Sequence, residues 1–132
     1  MFLVSSNPIK NLLMLRYIDR VKRQDFEWVH SDLLALLAGL KPGLRVLVDC
    51  TQLEHMSHDC ISPIGDLMEL IDQRGAELIV RVIPDPYKDI GLNILTAFHY
   101  KKRPNIATCK TLAEAGEALE IYSSASASTS AM

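Results

Sequence analysis

The sequence predicts an α/β fold, a mixed and mostly parallel sheet of about five strands carrying about four helices. Two features predict it. Short apolar runs of strand character alternate with longer segments whose apolar residues recur at three-and-four spacing. Turn and cap signals (Asn7-Pro8, Lys41-Pro42-Gly43, Gly75, Asp85-Pro86) fall between these segments and not inside them.

Phe2 to Ser5 and Leu12 to Ile18 read as two short strands joined by the turn signal Ser6-Asn7-Pro8. Asp25 stands where a cap would open a helix from Phe26 to about Leu40, with Phe26, Val29, Leu33, Leu36, Leu37 and Leu40 on one stripe. Leu44 to Asp49 is a buried strand. A second helix runs from about His58 to Arg74, its start lying between Ser57 and Ser62 because Pro63 belongs in a first turn. Gly75 is its left-handed stop. Ala76 to Ile83 is a strand apolar enough to be covered on both faces. Asp85-Pro86 opens a further helix with Ile90, Ile94, Ala97 and Phe98 inward, and Pro104 to Thr108 is the last strand. Thr111 and Glu114 form a capping pair for a final helix with Leu112, Ala115, Leu119 and Tyr122 inward. An antiparallel hairpin followed by three strand-helix-strand crossovers is the resulting topology.

The 132 residues fit about one domain, and the 48% hydrophobic and 23% charged fractions fit a globular chain. Fourteen basic against 16 acidic residues leave a net charge of −2, which argues against nucleic acid as a partner. No apolar run approaches the roughly 20 residues that cross a bilayer, and residues 1–5 do not read as a signal peptide. Three widely spaced cysteines (Cys50, Cys60, Cys109) fit reduced thiols in a cytoplasm. Residues 1–122 are expected to form the domain. Residues 123–132, all but two of them Ser or Ala, are expected to be a flexible tail.

A strand ending in aspartate (Val46-Leu47-Val48-Asp49) is followed by a short loop, Cys50 to Met56. A helix ending in Arg74-Gly75 comes next, then the apolar strand Glu77-Leu78-Ile79-Val80 and the closing run Cys109 to Ala115. On these residues the chain from Arg45 to Leu119 resembles the STAS domain, the fold shared by anti-sigma factor antagonists and the cytoplasmic tails of sulfate transporters. In antagonists of this family a loop reading Asp-Ser-Ser-Gly carries the serine that a partner kinase phosphorylates. Lined up from Asp49, that loop is here Ser57-His58-Asp59-Cys60, with Asp59 in place of the phosphoacceptor. Aspartate cannot accept that phosphate. It supplies a permanent charge at a helix start, in part imitation of phosphoserine. Ser57 and Ser62 stand close by as replacement acceptors.

Four potential metal ligands fall in His55-Met56-Ser57-His58-Asp59-Cys60, but neighbours in one loop fan outward, so the segment reads as a polar loop and not a metal site. Cys60 at a helix start could be an activated thiol or a small core residue, and the second reading is the simpler. No phosphate-cradling glycine loop or G-x-S-x-G elbow is present, so enzyme chemistry and a cofactor have no support. Arg81 interrupts an apolar strand and is expected to pair with Asp49. Lys101-Lys102-Arg103 reads as a solvated turn. Trp28 and Leu34 fall off the first helix's main stripe, as a homodimer contact or ordinary surface variation.

The sequence thus points to a cytoplasmic, bacterial-type regulatory domain that docks to a protein. The resemblance implies an anti-sigma factor or a histidine-kinase-like ATPase as that partner. The docking surface is placed at Ser57, His58, Asp59, Cys60 and Ser62, with Asp85 on the loop after the neighbouring strand, outside the carboxyl ends of the parallel strands. The competing reading is a carrier of a small apolar ligand, held between the sheet and the helix after Asp85 by Ile90, Ile94 and Phe98.

Overall fold

β1 (Phe2–Asn7) and β2 (Leu12–Val21) form the expected hairpin, paired antiparallel from Phe2–Tyr17 to Asn7–Leu12. The computed structural model describes residues 1–85, 100 and 104–120. Asn7 Oδ1 accepts from the Lys10 N–H at 3.2 Å, and Asn11 takes the left-handed conformation at φ 51°, one that asparagine tolerates. The Asn11 amide then brackets Lys41, accepting from its N–H at 2.8 Å and donating to its carbonyl at 3.1 Å.

β2 runs three residues past Ile18, because its ladder with the next strand continues across two irregularities, one at Asp19 (φ 55°). α1 (Arg23–Ala38) begins earlier than Phe26. Lys22 is its cap residue. Asp25 lies one turn inside and accepts from the Lys22 N–H at 2.8 Å, so it is the reach-back member of the start and not the cap. The apolar stripe is as read: Phe26, Leu33 and Leu37 are buried, with Val29, Leu36 and Leu40 packed against them.

β3 (Arg45–Met56) is twelve residues long, twice the expected strand. Residues 50–56, read as a loop, continue it in parallel with β2 as far as Val21–Met56. The far half looks loop-like in sequence because β4 (Leu78–Val82) stops level with Asp49. Beyond that level Cys50 and Leu53 still enter the core, while Gln52, Glu54 and His55 face solvent. β5 (Asn105–Cys109) pairs parallel to β4. The sheet order is β1-β2-β3-β4-β5, parallel except for β1. This is the mixed, mostly parallel α/β sheet that the sequence predicts.

α2 (Ile61–Gln73) is preceded by a 3-10 turn, His58–Cys60, so Pro63 falls in its first turn. Gly75 follows it at φ +83°. α3 spans 112–120 among the described residues. The Thr111 hydroxyl accepts from the Glu114 N–H at 3.1 Å, while the Glu114 carboxylate accepts from the Lys110 N–H at 3.2 Å. Leu112, expected inward, is 49% exposed, and α3 packs through Ala115, Ala118 and Leu119. The helix expected after Asp85, with Ile90, Ile94, Ala97 and Phe98, lies outside the described residues, as do Lys101–Arg103, Tyr122 and the tail.

α1 and α2 cover one face of the sheet over a core that includes stacked Phe2 and Tyr17 (ring centroids 4.8 Å apart) with Phe26 against Phe2 at 4.8 Å. α3 covers the other face over Leu78, Val80 and Val82. Side-chain alternation along the strands settles the fate of Arg81. Asp49 pairs with Val82 and Val48 with Arg81, so Asp49 and Arg81 point to opposite faces and do not form the expected pair. Arg81 Nη2 donates to Thr108 Oγ1 at 2.9 Å, and Asp49 turns to Arg16 and Thr51. Among the described residues no helix is long and apolar enough to cross a membrane.

Candidate functional site

The turn between β3 and α2 brings Ser57, Asp59 and Cys60 together. Ser57 leaves β3 still tied to the sheet, its N–H donating to the Val21 carbonyl at 3.2 Å. Its extended backbone (φ −70°, ψ 154°) makes it the cap residue of the 3-10 turn, and its carbonyl accepts from the Cys60 N–H at 3.0 Å. The Ser57 hydroxyl donates to Asp59 Oδ1 and lies 3.4 Å from Cys60 Sγ. Asp59 is therefore held inside the first turn by a side-chain bond and does not cap it. His58, Asp59, Ile61 and Ser62 are exposed, Ile61 by 51%. The turn offers solvent a carboxylate, a hydroxyl, an imidazole and one apolar side chain.

Cys60 faces the other way. It is fully buried among the residues under α1 and α2, and its thiol donates to the Val21 carbonyl at 3.5 Å. Burial pushes the thiol pKa up and the Asp59 charge adds to this, while the bond with Ser57 opposes it. A protonated, inaccessible thiol is a poor nucleophile, so Cys60 is a packing residue. Among the described residues no three His, Cys, Asp or Glu side chains converge as metal ligands would.

Asp85 does not leave the sheet beside Ser57. The β3–β4 ladder ends at Asp49–Val82, and β3 then runs seven more residues, roughly 23 Å of strand, before Ser57. Asp85 is exposed, three residues past Val82 and two past Ile83, whose N–H donates to the Cys109 carbonyl at 2.8 Å.

Two features escape a reading by motif. A groove of about 220 Å³ separates α1 from α2, floored by Phe2, Phe26, Leu33 and Leu67, with Arg23, Glu27, His30 and Asp66 also lining it. A buried polar group sits on the same face of the sheet. Tyr100 is pushed well above the usual phenol range by burial, with the Arg81 charge opposing and the Asp72 charge adding. Only the interruption of an apolar strand by Arg81 hinted at this cluster in the sequence.

Three solved structures share this architecture across nearly the whole chain. One is an uncharacterised protein of the DUF3478 family with a SpoIIAA-like fold from Shewanella loihica PV-4, at TM-score 0.67 and 15% identity. The match covers 90% of this chain and 92% of that one. The second is the anti-sigma factor antagonist SpoIIAA in its unphosphorylated form, at TM-score 0.62 and 11% identity, covering 91% and 98%. The chain has a STAS-like fold. The phosphorylated form of SpoIIAA, the Bacillus cell fate determinant, matches it at TM-score 0.58 and 11% identity, covering 90% and 99%. No family sequence model matches the chain, and no curated protein matches it by sequence. What the STAS-like fold contributes is a sheet whose β3 delivers the Ser57–Cys60 turn to the start of α2.

Proposed function

We propose that this chain is a non-enzymatic regulatory module of a bacterial cytoplasm that docks to a protein through the exposed turn at residues 57–62. Its relation to SpoIIAA in fold makes an anti-sigma factor, or a histidine-kinase-like ATPase of that kind, the partner class to test, with transcription as the process regulated. One observation carries the reading: at the start of α2 an exposed carboxylate, Asp59, is fixed by the Ser57 hydroxyl next to exposed Ile61 and Ser62. A charge fixed at a helix start is favoured by roughly 0.3–1 kcal/mol at an exposed site. It presents to a partner something close to the anionic form of a phosphoserine switch.

In this reading the domain is permanently in the anionic state and is not switched by phosphate at position 59. The test is affinity capture from the native host with wild type, Asp59→Asn and Asp59→Ser, read by mass spectrometry and quantified against the captured partner. The neutral variants are expected to change partner affinity several-fold at little cost in stability. Equal capture by all three proteins would make the turn purely structural. Stoichiometric phosphate on Ser57 or Ser62 in host-purified protein would show a switch that has moved, and would overturn the constitutive state.

A further inference from the structure

The sheet ends on β1, and among the described residues no strand lies along its outer side. Met1 and Ile18 exchange both backbone bonds at 2.9 Å, so the bonded pairs of this ladder fall at Met1, Leu3, Ser5 and Asn7. Phe2, Val4 and Ser6 therefore turn their N–H and C=O groups outward, to the open edge. Protein sheets usually blunt such an edge with a charge, a proline or a bulge. Phe2-Leu3-Val4-Ser5-Ser6-Asn7 has none of these, and its register with β2 is unbroken.

Two apolar side chains flank the β1 edge. Leu3, on the face away from α1, is 42% exposed. Trp28, on α1, is 68% exposed. His30 lines the groove with α2, and Trp28 lies two residues earlier, about 200° around the helix. Trp28 thus projects from the flank of α1 turned away from α2, on the side where β1 forms the edge.

We infer that β1 is a homodimer seam, on which a second copy of this chain adds its own β1 antiparallel about a two-fold axis through Val4. The segment is self-complementary in that register. Val4 faces the second copy's Val4, Phe2 faces its Ser6, and Leu3 faces its Ser5. The outward groups of Phe2, Val4 and Ser6 on both strands then close three bonded pairs. No charge is set against a like charge. The axis stands perpendicular to the sheet, so both α1 helices lie on one face and bring their Trp28 flanks toward each other over the seam. Two such tryptophans remove roughly 200–350 Å² from water, a substantial share of the ~1,200 Å² that a stable interface buries. The closed dimer removes the exposed β1 edge from both copies.

Light scattering of the full chain tests this, together with an oxidative cross-link. Wild type is expected at twice its 14.8 kDa mass in the micromolar range. Ser6→Pro deletes an outward N–H that β2 does not use, and Trp28→Gln removes the flanking side chain. Each is expected to weaken dimerisation by at least about tenfold with unchanged far-ultraviolet circular dichroism. The pair Leu3→Cys and Ser5→Cys, combined in one chain, places thiols on facing residues whose Cα atoms would be about 4.5 Å apart. Mild oxidation is expected to join the first site of one copy to the second site of the other. A wild type that stays monomeric overturns the proposal, and so does a dimer indifferent to Ser6→Pro and Trp28→Gln. Should Ser6→Pro fail to fold, the cross-link decides: a chain that oxidises without joining these two positions excludes the seam.

Discussion

Arg16 on β2 and Asp49 on β3 form an ion pair across the parallel ladder, Nε to Oδ2 at 3.4 Å, on the face turned away from α1 and α2. Asp49 is buried, and its other oxygen accepts from the Thr51 N–H at 2.9 Å and the Thr51 hydroxyl at 2.7 Å. The two partners are therefore unequal. Asp49→Ala leaves the half-buried Thr51 N–H and hydroxyl without their acceptor and is expected to cost about 1–2 kcal/mol. Arg16 is half exposed, and Arg16→Gln is expected to cost less than about 1 kcal/mol. Urea unfolding of both single variants and the double variant checks this. Equal costs would mean that the ion pair, and not the Thr51 contacts, fixes Asp49.

Gly75 and Gly116 should respond to alanine with opposite signs. Gly75 has φ +83°, and a Cβ there would meet the Pro42 Cβ at 3.3 Å, so Gly75→Ala is expected to destabilise by about 1–2 kcal/mol. Gly116 is inside α3 with nothing within 4 Å of an added Cβ. Gly116→Ala is expected to stabilise by roughly 0.5–1 kcal/mol through helix propensity. Thermal midpoints moving in the same direction would contradict the stop at Gly75 or the helix at Gly116.

The succession of strands along the chain, the α1 stripe, the Gly75 stop and the Thr111–Glu114 start were legible because each depends on local pattern. What the sequence hid depends on neighbours. Residues 50–56 look like a loop because β4 ends level with Asp49, leaving the far half of β3 paired on one side. The Arg81–Asp49 pairing failed for a related reason: two residues on adjacent strands meet only when register and parity agree, and register is set by the whole ladder. At the candidate site, Ser57, Asp59 and Cys60 share a turn, as their spacing suggests. That Cys60 points into the core and Asp59 to solvent follows from the 3-10 turn before α2, which the sequence does not announce.

The stretch from Ser123 onward has no apolar stripe to bury. A chain cut after Tyr122 is expected to unfold at the same temperature as the full chain. A drop of several degrees would show that this stretch contributes to the fold.

Alkaline pH should destabilise the protein, in a window set by its buried thiols and phenols. Burial raises the pKa of Cys60, with Asp59 adding to the shift, and burial followed by the nearby Glu114 carboxylate raises that of Cys109. Burial raises Tyr17 and Tyr100 well above the ordinary phenol value. Each group keeps its proton in the folded state at a pH where the unfolded chain has lost it, since free thiols ionise near 9.0 and phenols near 10.0. The folded state then binds more protons than the unfolded one, so stability falls as pH rises. The contribution of these groups is complete below about pH 9 and is lost progressively above it. Urea midpoints are expected to be level in this respect from pH 7 to 9 and to decline from 9 to 11. Tyr17→Phe keeps the stacking on Phe2 but has no phenol to ionise, so its decline above pH 10 is expected to be shallower than that of wild type. A Tyr17→Phe profile parallel to wild type throughout would mean that the Tyr17 hydroxyl reaches water in the folded protein.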